Sequence, residues 1–244
     1  MTEKAERAMQ SQRALMGVRD LVISGGIRAG SRLSEVALAE KLGISRTPLR
    51  AALARLEQEG LVDAIPSGGY AVRSFTREDV IDAIELRGVL EGTALRLAAE
   101  RGVAPARMGE LHRLLAELDQ TQKGEVEEMN FDAYVDLNAA FHEKLWSLAS
   151  QTISREIERV TSLPFASPSA FLDKQADVMA FRRSLYGAQA QHRAMVNAIE
   201  LREGARAESL AREHARLARQ NLEFVLDQDR SLIRRVSALS LVVG

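Results

Sequence analysis

Residues 45–60 read SRTPLRAALARLEQEG, and the punctuation of this stretch defines a helix. Ser45 suits an N-cap, Pro48 falls in the first turn where its missing N–H costs nothing, and Gly60 supplies a C-terminal stop. Leu49, Ala52, Leu53 and Leu56 recur at spacings of three and four and so share one apolar stripe. Arg46, Thr47 and Arg50 gather on the other side, near the N-terminus. Arginine can bond guanine O6 and N7 bidentately, and a threonine can meet a phosphate or a thymine. The stretch by itself fits two descriptions, a helix that lies in a DNA groove or a solvated amphipathic helix with ordinary surface arginines.

Its flanks favour the first. Residues 10–24 place Leu15, Val18, Leu21 and Val22 at helical spacing, and Gly25-Gly26 ends that helix. Residues 28–32 (RAGSR) read as a loop, and Ser34 then offers an N-cap to a short helix holding Val36, Leu38, Ala39 and Leu42, with Gly43 as its stop. Two helices joined through Gly43-Ile44 make a helix-turn-helix. After Gly60 the runs LVDAI (61–65) and YAV (70–72) flank Pro66-Ser67-Gly68-Gly69, which predicts a hairpin. A hairpin behind such a helix is a wing, and Gly68 and Gly69 let its tip approach a sugar-phosphate backbone closely.

The chain's 244 residues suffice for two ordinary domains. A net charge of −1 hides a split: +3 over the first 75 residues and −4 over the rest, as expected of a nucleic-acid-binding head on a different kind of body. With no cysteine, disulfides and thiolate metal sites are excluded. No apolar run approaches a membrane span, and the polar N-terminus is unlike a secretory signal, so a cytoplasmic location is expected.

Beyond a short connection at residues 73–76, with Thr76 as a cap, only helical patterns follow: about 77–101, 105–122, 127–150, 151–163, 177–203 and 204–229. The sharpest break, LPFASP at 163–168, must be non-helical. The predicted fold is mainly α, an N-terminal winged helix-turn-helix (1–75) followed by an antiparallel α-helical bundle (76–230). The apolar tail 231–244 is left unassigned.

The run LSEVALAEKLGISRTPLRAALARLEQEGLV (33–62) followed by GGYAV (68–72) resembles the winged helix-turn-helix of the GntR family of bacterial transcriptional regulators. The resemblance implies sequence-specific binding of a double-stranded operator by a set comprising Ser45, Arg46, Thr47 and Arg50, with Gly68 and Gly69 at the wing tip. The family's frequent extra arginine early in the second helix is missing, and Val36 stands near its place. ELRGVLE at 85–91 resembles the ELRxxLE signature of the FadR-type branch, whose C-terminal bundle (the FCD domain) binds effectors. The whole then resembles a ligand-responsive regulator, expected to be a repressor and a homodimer.

Three of the four histidines stand in patterned contexts: His142 in LNAAFHEKL, four residues after Asn138, His192 in QAQHRAMVNAI and His214 in AREHARLA. Taken singly, each could be a satisfied core or surface histidine. Bundles similar to this one bind a divalent metal through an Asp or Asn and a His of one helix and a His from each of two later helices. The resemblance thus implies a site of Asn138, His142, His192 and His214, holding Zn²⁺, Ni²⁺ or a similar ion. Asn138 stands where the family often has Asp, which removes one negative charge, and a small carboxylate effector completing the coordination would restore it. Arg87 faces either that anion or, as a helix-surface pair, Glu91. His112 has no partner at ligand spacing and reads as structural. A metal enzyme is the alternative, but Trp146 occupies the place of the second histidine of HExxH and no other catalytic motif is present; a DNA-architectural protein without a ligand leaves the histidines unexplained. A non-enzymatic regulator is therefore expected.

Overall fold

The computed structural model describes residues 3–172, 175, 177–228, 232 and 235–243. They form two compact units: Met1–Val80 with Ser162–Pro164 and Ser237–Gly244, and Ile81–Thr161 with Phe165–Val236.

The first unit contains α1 (Glu3–Ile23), α2 (Glu35–Leu42), α3 (Arg46–Gln58), β1 (Val62–Ala64) and β2 (Tyr70–Val72). The apolar stripe of α3 is its buried face, with Leu49, Leu53 and Leu56 fully covered. Opposing it is α1, which starts earlier than predicted and buries Ala14, Val18 and Val22 while Leu15 and Leu21 are half-exposed. Ser34 caps α2 by accepting the Ala37 N–H at 3.3 Å, and Gly43 ends it in the left-handed region at φ 62°. Ser45 occupies the N-cap of α3 with extended backbone, but its hydroxyl caps nothing. The reason lies in the sequence: the third helical residue is Pro48, so one of the two N–H groups a capping side chain reaches for does not exist.

β1 and β2 pair antiparallel with Val62 opposite Val72 and Ala64 opposite Tyr70. The segment predicted as a plain loop, 28–32, runs along the other edge of β2. The Gly30 N–H donates to Val72 O (2.8 Å), the Val72 N–H to Ser31 O (2.9 Å), and the Leu33 N–H to Tyr70 O (2.8 Å). Part of the tail also joins this unit. The Phe75 N–H donates to Leu241 O at 2.9 Å and the Val243 N–H to Phe75 O at 2.8 Å, while Phe75, Leu239 and Leu241 are buried. Tail residues 231, 233, 234 and 244 lie outside the described residues. Thr76 and Asp79 cap α4 reciprocally, the Thr76 N–H donating to Asp79 Oδ2 (2.8 Å) and the Asp79 N–H to Thr76 Oγ1 (3.1 Å). The Thr76 N–H, and its hydroxyl donating to the same Oδ2 at 3.0 Å, hold the Asp79 carboxyl below its ordinary pKa.

The second unit is helical: α4 (Arg77–Arg101), α5 (Pro105–Thr121), α6 (Phe131–Trp146), α7 (Gln151–Thr161), α8 (Met179–Glu200) and α9 (Gly204–Glu223). A helix predicted from 127 begins at Phe131, because Val126–Glu128 is a 3-10 turn and Asn130 caps the helix proper. Paired cross-links set α5 antiparallel to α8, and single ones join the other neighbours. Between α5 and α6, Glu110 meets Lys144; between α5 and α8, Asp119 meets Arg193 and His112 meets Glu200; between α8 and α9, Asn197 meets Arg206. Small residues bring α4 and α9 together: a Cβ on Gly88 would stand 3.0 Å from Ala215 Cβ, and one on Gly92 3.0 Å from Glu208 O. No helix among the described residues is long and apolar enough to cross a membrane.

Candidate functional site

In the second unit α6, α8 and α9 converge on the three histidines. His192 and His214 lie at equal sequence distances from residue 203, and Leu201–Glu203 form the turn between α8 and α9, so the antiparallel pair sets them opposite each other. α6 adds His142, with Asn138 one turn earlier on the same face. His192 Nε2 lies 3.1 Å from His214 Nε2, which lies 3.2 Å from His142 Nε2. Ligating atoms of all three fall within 4.8 Å of one another. His142 and His192 are at most 1% exposed and His214 is 7% exposed.

Burial is the largest cause that pushes all three imidazoles toward neutrality. His142 and His192 sit well below the ordinary histidine range, further lowered by His214, and His214 is pushed down to about 3, with the Arg87 charge a smaller contribution. Their Nδ1 sides face oxygen. Gln189 Oε1 lies 2.9 Å from His192 Nδ1 and Gln191 Oε1 2.9 Å from His214 Nδ1. His142 Nδ1 has no hydrogen-bond partner and stands 3.9 Å from Glu91 Oε1, beyond hydrogen-bond range. Protons on Nδ1 leave Nε2 lone pairs pointed at each other. A single proton on His214 Nε2 could serve its two neighbours only as a shared donor, whereas a cation uses every lone pair. Separations of 3.1–3.2 Å are those of imidazole nitrogens that each lie about 2.0–2.1 Å from one ion. The donor set fits a borderline first-row divalent metal.

Asn138 is buried, donates from Nδ2 to Ser169 Oγ at 3.4 Å, and lines a cavity of about 30 Å³ together with Arg87, His214, Phe171 and Leu172. Arg87, considered as part of a helix-surface pair, is instead 2% exposed. Packing between α4, α9 and the 165–172 turns encloses it, and its guanidinium donates to Ala166 O (2.9 Å) and Ala215 O (3.3 Å), with Glu91 Oε1 3.7 Å from Nε. Burial lowers its pKa and raises that of Glu91. Glu91 also accepts the Trp146 indole N–H at 3.1 Å, a role the ELRxxLE pattern did not announce. His112 is half-exposed and meets Glu200 at 3.0 Å, so it is a surface pair outside the cluster.

In the first unit Ser45, Arg46, Thr47 and Arg50 are all exposed at the start of α3. Arg46 and Arg50 stand one turn apart on one face; Arg50 donates from Nε to Glu35 Oε2 at 2.8 Å, a partner not predicted. Gly68 and Gly69 form the hairpin tip with φ near +89° and +88°, and the space a Cβ would fill at Gly68 is open. Arg32, absent from the predicted set, donates from Nη2 to Gly68 O at 2.8 Å and so puts a cation at the wing tip.

A winged helix-turn-helix with an exposed cationic helix start has the arrangement of a DNA-binding head, here in one chain with a helical bundle. Comparison with known proteins agrees. The family model for bacterial regulatory proteins of the gntR family matches residues 10–72, and the FCD domain model matches residues 82–217. The chain belongs to the GntR family, in the branch that carries an FCD domain. It is 35% identical over 129 residues to the Nta operon transcriptional regulator of Aminobacter aminovorans, 53% of this chain and 59% of that protein. It is 31% identical over 134 residues to the HTH-type transcriptional regulator McbR of Escherichia coli, 54% of this chain and 58% of that protein. These matches span little more than half of the relatives' length. Among solved structures, E. coli McbR/YncC superposes with a TM-score of 0.61 at 20% identity, covering 90% of this chain and 98% of that one. Lar of Listeria monocytogenes gives 0.56 at 18%, covering 86% and 96%. Both establish the fold.

Proposed function

We propose that this chain is an effector-responsive repressor, cytoplasmic and homodimeric. The α3 start (Ser45, Arg46, Thr47, Arg50) and the wing tip (Gly68, Gly69, with Arg32 beside them) bind a double-stranded operator. One recognition helix reads too few base pairs for selectivity, so two copies on a roughly palindromic site supply it. Asn138, His142, His192 and His214 hold one Zn²⁺, Ni²⁺ or similar ion. The observation that carries the metal assignment is that the buried Nε2 of His214 stands 3.1 Å from Nε2 of His192 and 3.2 Å from Nε2 of His142, with ligating atoms of all three within 4.8 Å of one another.

The bound ion supplies a Lewis-acidic centre for a carboxylate, and the neighbouring Arg87 charge favours the same anion. A cavity of about 30 Å³ is near the space of one water molecule, so an entering acid must displace part of its lining, which includes Pro168, Phe171 and Leu172. Two sites communicate only when the ligand favours one state of the protein over another. The test is fluorescence anisotropy of an operator duplex with the full chain, with and without Zn²⁺ and a panel of small carboxylic acids. Affinity should change with an acid only when Zn²⁺ is present, and the response should vanish in His214→Ala while DNA binding persists. An unchanged response in that variant overturns the assignment.

A further inference from the structure

We propose that Gln189 is a positioning residue that fixes His192 in the tautomer required of a metal ligand, through a relay that begins at the Asp119–Arg193 pair on α5 and α8. The purpose assigned to the relay rests on the metal site proposed above; the relay itself is read from contacts that need no metal.

Gln189 is fully buried on α8, and a buried amide must be matched at both ends. One terminal atom lies 2.5 Å from Asp119 Oδ1 and 3.3 Å from the Leu115 carbonyl oxygen. Leu115 O can only accept. Asp119 accepts at both oxygens from Arg193, Nη2 to Oδ1 at 2.5 Å and Nε to Oδ2 at 3.3 Å, so it has no proton to offer. The atom facing both acceptors is therefore the amide nitrogen, and Oε1 is the atom 2.9 Å from His192 Nδ1. An amide oxygen facing an imidazole nitrogen at that distance requires Nδ1–H. A neutral imidazole carries one proton, so Nε2 is left as a bare acceptor. That is the nitrogen aimed at His214.

The other two histidines are not held in this way. Gln191, beside His214, is half-buried and has no second partner among the described residues, and His142 Nδ1 has none. His192 is thus the ligand whose tautomer is locked before any ion arrives, and the lock is anchored by a half-exposed ion pair. Partners outside the ligands typically change metal affinity by about 10- to 100-fold when removed.

The experiment combines long-range ¹H–¹⁵N NMR of the imidazoles in metal-free protein with Zn²⁺ affinity from competition against a chelating indicator. The parent should show His192 as the single Nδ1–H tautomer. Gln189→Leu should show mixed tautomers and bind Zn²⁺ about 10- to 100-fold more weakly. Asp119→Ala, at a half-exposed position that tolerates truncation, should lose a smaller part of the affinity and loosen the tautomer in the same direction. Should Gln189→Leu fail to fold, Asp119→Ala decides. A His192 that keeps one tautomer in Gln189→Leu and Asp119→Ala, or that carries its proton on Nε2 in the parent, overturns the relay. A parent that shows the tautomer lock and the variant shifts but binds no Zn²⁺ overturns the metal site and leaves the relay standing.

Discussion

Arg46 has no ion-pair partner among the described residues, whereas Arg50, also exposed, is engaged by Glu35. The two arginines therefore differ in what DNA contact costs them. Arg46→Ala should weaken operator binding by about 1–3 kcal/mol with the fold intact, as expected for loss of a bidentate base contact. Glu35→Ala releases Arg50 and removes a negative charge from the surface that faces phosphate, so it should tighten binding and steepen its salt dependence. Titration of operator affinity against salt for the two variants checks both; an unchanged affinity in Arg46→Ala contradicts the assignment. The sequence displayed these arginines because side, spacing and cap are local properties of one helix. It hid Arg32, Glu91 and Gln189, whose roles depend on partners 36, 55 and 70 residues away. It also left Arg87 undecided between a cavity and a helix surface, since an i, i+4 pair with Glu91 looks the same in sequence whether the helix face is wet or buried.

Among the elements, α4 and α9 approach each other closely through small residues. Gly92 is helical with no unusual φ, so its value lies in the missing side chain, with Glu208 O 3.0 Å from where a Cβ would stand. Gly92→Ala should therefore destabilise the bundle by about 1–3 kcal/mol despite alanine's better helix propensity. Urea denaturation followed by circular dichroism reads this, and a more stable variant would show that the helices separate without penalty. Helix order and the α3 stripe were legible from periodicity and caps. The pairing of 28–33 with β2 was not, because a glycine-containing polar segment such as RAGSR carries no strand alternation and gains its hydrogen bonds only from β2.

At the scale of the molecule, residues far apart in sequence complete the first unit. Leu239 and Leu241 are buried in it and two backbone hydrogen bonds tie residues 241–243 to Phe75. Deleting residues 237–244 should lower the melting temperature of the DNA-binding unit, through loss of roughly two buried leucines at about 1.5–3 kcal/mol each. An unshifted transition would show that the tail contributes nothing there. Its position could not be read from sequence, since an apolar run after the last helix suits any exposed apolar face.

The claim on which the regulatory scheme depends is that the α6, α8 and α9 histidines hold one ion, and equilibrium dialysis of the full chain against Zn²⁺ tests it most directly. The expected result is one Zn²⁺ per chain in the parent, with affinity lowered at least ~100-fold in His142→Ala, His192→Ala and His214→Ala and raised in Asn138→Asp by the added carboxylate charge. A parent that binds no Zn²⁺, or three alanine variants that bind it as the parent does, would contradict the claim.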